Sequence, residues 1–436
     1  MPSCRLQMEI WDRLIVAKAF RSIKIKNEFA PRVMLRSGQL DAVSYRLLMP
    51  LSSVDIIDPI GQYFISERKI VESVTEERVI DALRKVQDPE LHRDIVSLGM
   101  VKNLAVAQGN VRFTVELTTP ACPLRETIEN DCRKALSGIA GVGSLEINFG
   151  AQVRGSKAGA GQTDLLPTVK NVVLVAAGKG GVGKSTVAAN LAVALKMHGA
   201  ATGLLDADIY GPSVPMIMGV KGEPNKIEID GAHKIQPALA HGVPVMSIGF
   251  FLDPDQAVIW RGPMLGKALH QLMADVHWGE LDYLVVDMPP GTGDVQITFS
   301  QQLKVSGALL VATPQNVALA DVVRAKSMFD KVNIPILGIV ENMSYFVCDG
   351  CGKKHEIFSR GGARRAAERF NIPYLGEIPI TPALREGGDN GVPSLVQDPR
   401  SEVSKCFLEI AAKLAGQLSI ASEQAKKTQS LKIVSS

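Results

Sequence analysis

Residues Gly178–Ser185 read G-K-G-G-V-G-K-S, which fits the phosphate-binding pattern G-x-x-x-x-G-K-[ST], and what flanks it gives that fit its meaning. The apolar run 172–177 ahead of it reads as a buried strand. A helix-period stretch from Thr186 to about Met197, closing at Gly199, follows. Strand, glycine-rich loop and helix start bring converging backbone N–H groups and the helix's partial positive charge to one point. Gly178, Lys179, Gly180, Gly181, Val182, Gly183, Lys184, Ser185 and Thr186 are the expected nucleotide-binding set. Lys184 is placed to reach β- and γ-phosphates, and the Ser185 hydroxyl to ligate Mg²⁺. A nucleoside triphosphate is the expected ligand, and a doubly wound, mostly parallel α/β sheet the expected scaffold.

Downstream, acids follow buried strands. Ala201–Leu205 leads into Asp206-Ala207-Asp208-Ile209-Tyr210-Gly211-Pro212-Ser213, and carboxylates at the C-terminal end of a parallel strand face the ligand crevice. Asp208 is the candidate to orient the attacking water, and Asp206 to help hold Mg²⁺ or its waters; a capping role is the alternative for either. Leu284-Val285-Val286-Asp287 is a second such strand, with Asp287 at the Walker B position for Mg²⁺. The glycines of 288–294 suit a switch segment. Strands at 308–312 and 336–340 extend the sheet, and Glu341-Asn342-Met343 follows. Asn342 offers a donor and an acceptor to an adenine edge, and could equally serve a turn.

Cys348-Asp349-Gly350-Cys351 is a C-x-x-C pair, the spacing that lets two thiolates grip one metal or cluster. One pair supplies two ligands where zinc or an iron–sulfur cluster normally takes four. Two copies about a two-fold axis would supply the rest; a redox dithiol is the other reading.

Outside this core, 436 residues imply two domains plus tails. A net charge of +3 argues for neither a nucleic-acid nor an anionic-membrane partner, and no apolar run is long enough to span a bilayer. Six cysteines in so long a chain suit a reducing compartment. Residues 1–71 read as an extension: Arg5, Arg13, Lys18 and Arg21 suggest an organelle transit peptide, while Glu9, Asp12 and Glu28 oppose it. Residues 72–149 read as a small α+β domain. Ser73-Val74-Thr75-Glu76 fits a capping box, strands at 101–107 and 111–117 flank a Gly109-Asn110 turn, and a helix at 124–136 and a short strand at 145–149 complete it. Cys122 stands just ahead of that helix, where the dipole can lower a thiol's pKa; it is either reactive or a half-buried structural residue. Cys132, inside the helix, reads as core. A flexible linker is expected at 150–168, a nucleotide domain at 169–418 and a polar tail at 419–436.

The second lysine of the loop, Lys179, resembles the signature of the deviant phosphate-loop ATPases, the MinD, ParA and nitrogenase iron-protein group, in which it reaches the partner's nucleotide across a dimer; by the same resemblance Asn342 contacts the base. Thr118-Thr119-Pro120-Ala121-Cys122-Pro123, with Asp88-Pro89-Glu90 upstream, resembles the SufT-type iron–sulfur assembly domain. Taken with W-R-G-P-M at 260–264, D-M-P-P-G-T-G-D at 287–294, E-N-M-S, C-x-x-C and R-E-G-G-D at 385–389, the chain resembles the Mrp/ApbC-type iron–sulfur cluster carrier ATPases with a SufT-like domain in front. That resemblance implies a homodimeric, slowly hydrolysing cytoplasmic ATPase. Lys179, Lys184 and Asp208 would be catalytic. Ser185, Asp206 and Asp287 would serve Mg²⁺, and Cys348 and Cys351 a [4Fe–4S] cluster held between subunits. Apo iron–sulfur proteins and cluster scaffold proteins would be its partners. The rival classes are a positioning ATPase acting at a membrane or on DNA, and an ATPase with a structural zinc.

Overall fold

A computed structural model of the chain describes residues 74–153, 155, 164–229, 231–252, 262–291, 297, 303–348 and 350–434. It also describes two strands of an N-terminal unit, Ile56–Ile57 and Tyr63–Phe64, which pair antiparallel. The rest of the extension expected at 1–71 lies outside the described residues, as do Trp260, Arg261 and residues 292–294 of the expected switch segment.

The small domain opens with α1 (Glu76–Leu83). Its N-cap is Thr75, in extended conformation, whose Oγ1 accepts a hydrogen bond from the Arg78 amide. That corrects the capping box expected from Ser73: the extended backbone an N-cap needs falls two residues later. Strands β1 (Val101–Ala107) and β2 (Asn110–Leu117) form an antiparallel hairpin. Its turn uses Gln108 and Gly109, both at positive φ, so Asn110 begins the strand instead of sharing the turn. After α2 (Arg125–Ser137), β3 (Ser144–Ala151) returns parallel to β2. Val79, Leu83, Phe113, Val115, Ile128 and Leu136 fill the core, and Cys132 is buried among them as expected.

The nucleotide domain follows: β4 (Val169–Ala176), α3 (Lys184–Met197), β5 (Thr202–Asp206), β6 (Ala238–Ala240), β7 (Val243–Ser247), α4 (Gly262–Ala274), β8 (Leu281–Asp287), β9 (Gly307–Ala312), α5 (Asn316–Lys331), β10 (Ile336–Val347), β11 (Lys354–His355), α6 (Gly362–Phe370), β12 (Tyr374–Ile380), α7 (Pro382–Asn390) and α8 (Glu402–Val434). Among the described residues these strands form one nine-stranded sheet in the order β6-β7-β5-β8-β4-β9-β10-β11, with β12 also on β10. Only β6 and β11 run antiparallel to their neighbours. Alternate side chains of β4 enter two different cores. Val173 and Val175 meet α3 and α8 on one face; Val172, Leu174 and Ala176 meet α4, α5 and α6 on the other. Burial on both faces explains why the strand reads as an unbroken apolar run.

Two differences from the sequence reading matter below. Strand β10 does not stop at Val340 but continues to Val347, so Asn342 lies within a strand and not in a turn. The tail expected after Leu418 is helical to Val434, since no glycine or proline interrupts it and its Gln, Lys and Ala residues favour helix. Of the expected linker, 154 and 156–163 lie outside the described residues, while Val153 and Leu166 are buried. No described helix is long and apolar enough to cross a membrane.

Candidate nucleotide site and cysteine hairpin

Sheet register aligns the acids. Ser247, Asp206, Asp287 and Val175 lie side by side across β7, β5, β8 and β4 at their C-terminal edge. From that edge the loop leads into α3, whose N-cap, Gly183, is left-handed and provides no side-chain cap. The first amides of the helix are thus left for a ligand. A side chain at Gly183 would strike the Asn342 amide, which donates to the Val182 carbonyl at 2.8 Å. A side chain at Gly178 would strike the backbone of Asp321 on α5.

Lys184 is buried between carboxylates, with Nζ 2.6 Å from Asp287 Oδ1 and 3.3 Å from Asp208 Oδ2. Burial pushes the Asp287 carboxyl above its ordinary range even though Lys184 opposes the shift. Asp206 is likewise raised, first by burial and then by the charge of Asp287. Asp206 Oδ1 accepts from the Asp208 amide at 3.1 Å; Oδ2 accepts from the Val214 amide at 3.2 Å and the Ser247 hydroxyl at 2.9 Å. It therefore braces the loop that carries Asp208, the capping role left open in the sequence. Asp208 Oδ1 and Asp287 Oδ2 are buried without a hydrogen-bond partner. Orphaned carboxylate oxygens beside a serine hydroxyl are the hard oxygen donors that Mg²⁺ takes, so these residues fit that ion. Lys179 Nζ lies 3.7 Å from Asp321 Oδ2 of its own chain.

Strand β10 links this site to the cysteines. Just past Asn342, Met343 is left-handed at φ 59°, and the pairing with β12 shifts register between Asn342 and Phe346. Buried Glu341 anchors the kink, accepting from Ser344 Oγ at 2.6 Å and from the amides of Gly361 and Ala363 at 2.8 Å each. The strand then ends in a hairpin with β11, and Cys348–Cys351 is its turn: the Cys348 amide donates to the Lys353 carbonyl at 3.0 Å, and the Gly352 amide to the Cys348 carbonyl at 2.8 Å. Cys351 is exposed, Cys348 half-buried, and neither is in a disulfide. Lys354 and Arg360 stack on the Tyr345 ring at 4.3 and 4.9 Å, and the Tyr345 hydroxyl donates to Glu402 at 2.8 Å. The hairpin base is thereby tied to α8. Among the described residues no group of three or more potential metal ligands forms.

Cys122 is not where the helix-dipole argument would make it a thiolate. It is half-buried and its thiol is pushed up to about 11, by burial first, with the Leu124 amide opposing and Glu90 and Asp88 adding to the rise. The loop amide is present, but desolvation outweighs it.

Several residues of the site escape a sequence reading. Ser247 could have been noticed as a polar strand end beside the two acids. Asp321 sits on an ordinary amphipathic helix and carries no local signal, and neither does the Thr119–Tyr283 contact described below.

Comparison with known proteins bears on both domains. A family described as NUBPL iron-transfer P-loop NTPase matches residues 168–415, and one described as iron-sulfur cluster assembly protein matches 76–148. An iron-sulfur cluster carrier protein of Synechocystis sp. is 47% identical over 350 residues, 80% of this chain and 99% of its own length. One from Deinococcus radiodurans is 48% identical over 342 residues, 78% and 95% of the two chains. A solved nucleotide-binding protein in complex with ADP from Archaeoglobus fulgidus is 38% identical with a TM-score of 0.47, over 54% of this chain and 90% of that one.

Proposed function

Since this chain belongs to the NUBPL-type iron-transfer P-loop NTPases, the family of the iron–sulfur cluster carriers, we propose that it is an ATP-dependent carrier. It holds a [4Fe–4S] cluster between two copies of itself and passes it to apo-proteins, receiving it from scaffold proteins. The observation that carries this reading is strand β10, which touches the phosphate loop through Asn342 and ends six residues later in the Cys348–Cys351 hairpin. One element thus reports the nucleotide's state to the thiols.

In this reading Lys184 and the loop amides hold the β- and γ-phosphates of ATP, and Asn342 meets the base. Asp208 orients the water that attacks the γ-phosphorus as the bond to the ADP oxygen breaks. Mg²⁺, held by Ser185 and Asp287 when bound, would neutralise charge on the phosphate oxygens. Asp206 keeps Asp208 in place through the loop amides. Lys179 leaves Asp321 to reach the partner's nucleotide when two chains close. Turnover is slow, as suits a switch in which positioning and charge do the chemistry. A cysteine pair outside any disulfide, with Cys351 exposed, fits a reducing cytoplasm.

The test is anaerobic reconstitution with iron and sulfide. One four-iron cluster per two chains is expected, and Cys348→Ser or Cys351→Ser should leave the protein colourless, since each deletes two of four ligands in the dimer. Cys122→Ser should keep the cluster. Full iron retention in Cys348→Ser, or stoichiometric zinc in protein purified without air, would overturn the carrier reading and leave a P-loop NTPase.

A further inference from the structure

The small domain is seated on the nucleotide domain, and the loop carrying Cys122 makes the joint. The buried Tyr283 hydroxyl donates to Thr119 Oγ1 at 3.0 Å, and that oxygen also accepts from the Ala121 amide at 3.1 Å. Ala121, 1% exposed, belongs to the core of the nucleotide domain and not to that of its own. Pro120 lies against Gly199, and the Glu90 carboxylate lies directly over Gly416 of α8, where a Cβ would overlap it. Thr118 and Val153 line the seam opposite Tyr283 and Leu418. Cys122 comes next in the chain, packed on the small domain's core with Glu90 and Asp88 nearby.

This joint is at the wrong end of the sheet for direct exchange with the hairpin. Tyr283 stands near the start of β8, whose last residue is Asp287 at the nucleotide edge, and Gly199 precedes β5. The Cys348–Cys351 hairpin lies beyond the C-terminal end of β10, which runs parallel to β9, as β9 does to β4. Helix α8 runs from Glu402, bonded to Tyr345 at the hairpin base, to Leu418 at the seam; that length of helix rises about 24 Å, so the joint and the hairpin base are separated by roughly that distance.

We propose that the Thr118–Cys122 loop is an interdomain latch: docked, it withholds Cys122 from solution and from the cysteine hairpin, and Cys122 acts only when the small domain lifts off the nucleotide domain. The latch stands on geometry alone; what Cys122 does once released rests on the carrier reading above. The seat is built to part. Among the described contacts it rests on the Tyr283–Thr119 hydrogen bond, small side chains and a carboxylate laid on a glycine, and apart from Ala121 and Val153 each domain has its own core.

Alkylation of the full-length, cluster-free chain, followed cysteine by cysteine with a maleimide, tests the latch and does not depend on whether a cluster is ever bound. Exposed Cys351 supplies the fast reference and buried Cys132 reports whether the small domain is still folded. In the unmodified chain Cys122 is expected to react at least tenfold more slowly than Cys351. Tyr283→Phe, which removes only the latch hydroxyl, should speed Cys122 several-fold. Ala121→Arg, which cannot be seated, should speed it more than tenfold, with Cys132 still unreacted. Unchanged Cys122 rates in both variants would overturn the latch. So would Cys122 and Cys132 reacting together in both, because protection would then belong to the small domain's own stability.

Discussion

Lys184 shows how much of the site a single residue can carry. Its ammonium is the counter-charge to Asp287 and Asp208 in a buried setting, which gives it a structural role beside the catalytic one proposed for it. Lys184→Ala should abolish ATP hydrolysis and also lower the unfolding free energy by about 3–5 kcal/mol, because a buried carboxylate loses its partner. Adding Asp287→Asn should return most of that stability without restoring hydrolysis; urea denaturation and phosphate release measure the two effects separately. Equal stability of Lys184→Ala and the unmodified chain would remove the ion pair from the account. Lys184 and Ser185 were legible because the loop pattern encodes its own chemistry locally. Asp321 and Ser247 were not, because they matter only through what folding brings beside them.

Strand β10 carries the argument at the scale of an element. Its sequence reads as a strand ending at Val340, because Glu341-Asn342-Met343 breaks the apolar run. The chain continues because the polar side chains find buried partners: Glu341 on two amides and a hydroxyl, Asn342 on the phosphate loop. The break in the pattern is instead taken up by a left-handed Met343. A non-glycine residue there costs about 1–2 kcal/mol, and β-branching makes it worse. Met343→Gly should therefore be neutral or stabilising by up to ~1 kcal/mol, and Met343→Val destabilising by ~1–2 kcal/mol, read from urea midpoints. A Val variant as stable as the Gly variant would show that the kink is free to relax. The helical run of α8 past Leu418 is the opposite case: no glycine or proline interrupts it and its Ala, Gln, Glu, Lys and Leu residues favour helix, while their polarity suggested a tail.

For the whole molecule, the seating of one domain on the other leaves a chemical signature in Glu90. Burial first, and then the charge of Asp88, push its carboxyl up from 4.5 to about 7. The folded chain thus keeps a proton that the unfolded chain releases between those values, so this contribution to stability falls as pH rises through that window. Glu90→Gln should flatten it: compared by urea denaturation at pH 5 and pH 8, the variant should lose less stability on going to the higher pH than the unmodified chain. Identical losses would mean that Glu90 is solvated and the seat open. The two domains themselves were legible in the sequence, since each has its own turn signals and periodicity. Their contact was not.

What the sequence determined by itself was mostly short in range: the phosphate loop, the strands ending in Asp206 and Asp287, the presence of the small domain's hairpin, the C-x-x-C pair and, through their order, the doubly wound fold class. Those features follow from the order of neighbouring residues, through periodicity, capping and backbone freedom. Tertiary structure alone decided which carboxylate braces a loop and which holds the lysine, that Asn342 lies on the phosphate loop, and that Cys122 is half-buried with its thiol raised instead of lowered. Burial and partner placement set each of these, and both depend on residues brought together from distant parts of the chain, such as Thr119 with Tyr283 and Glu90 with Gly416.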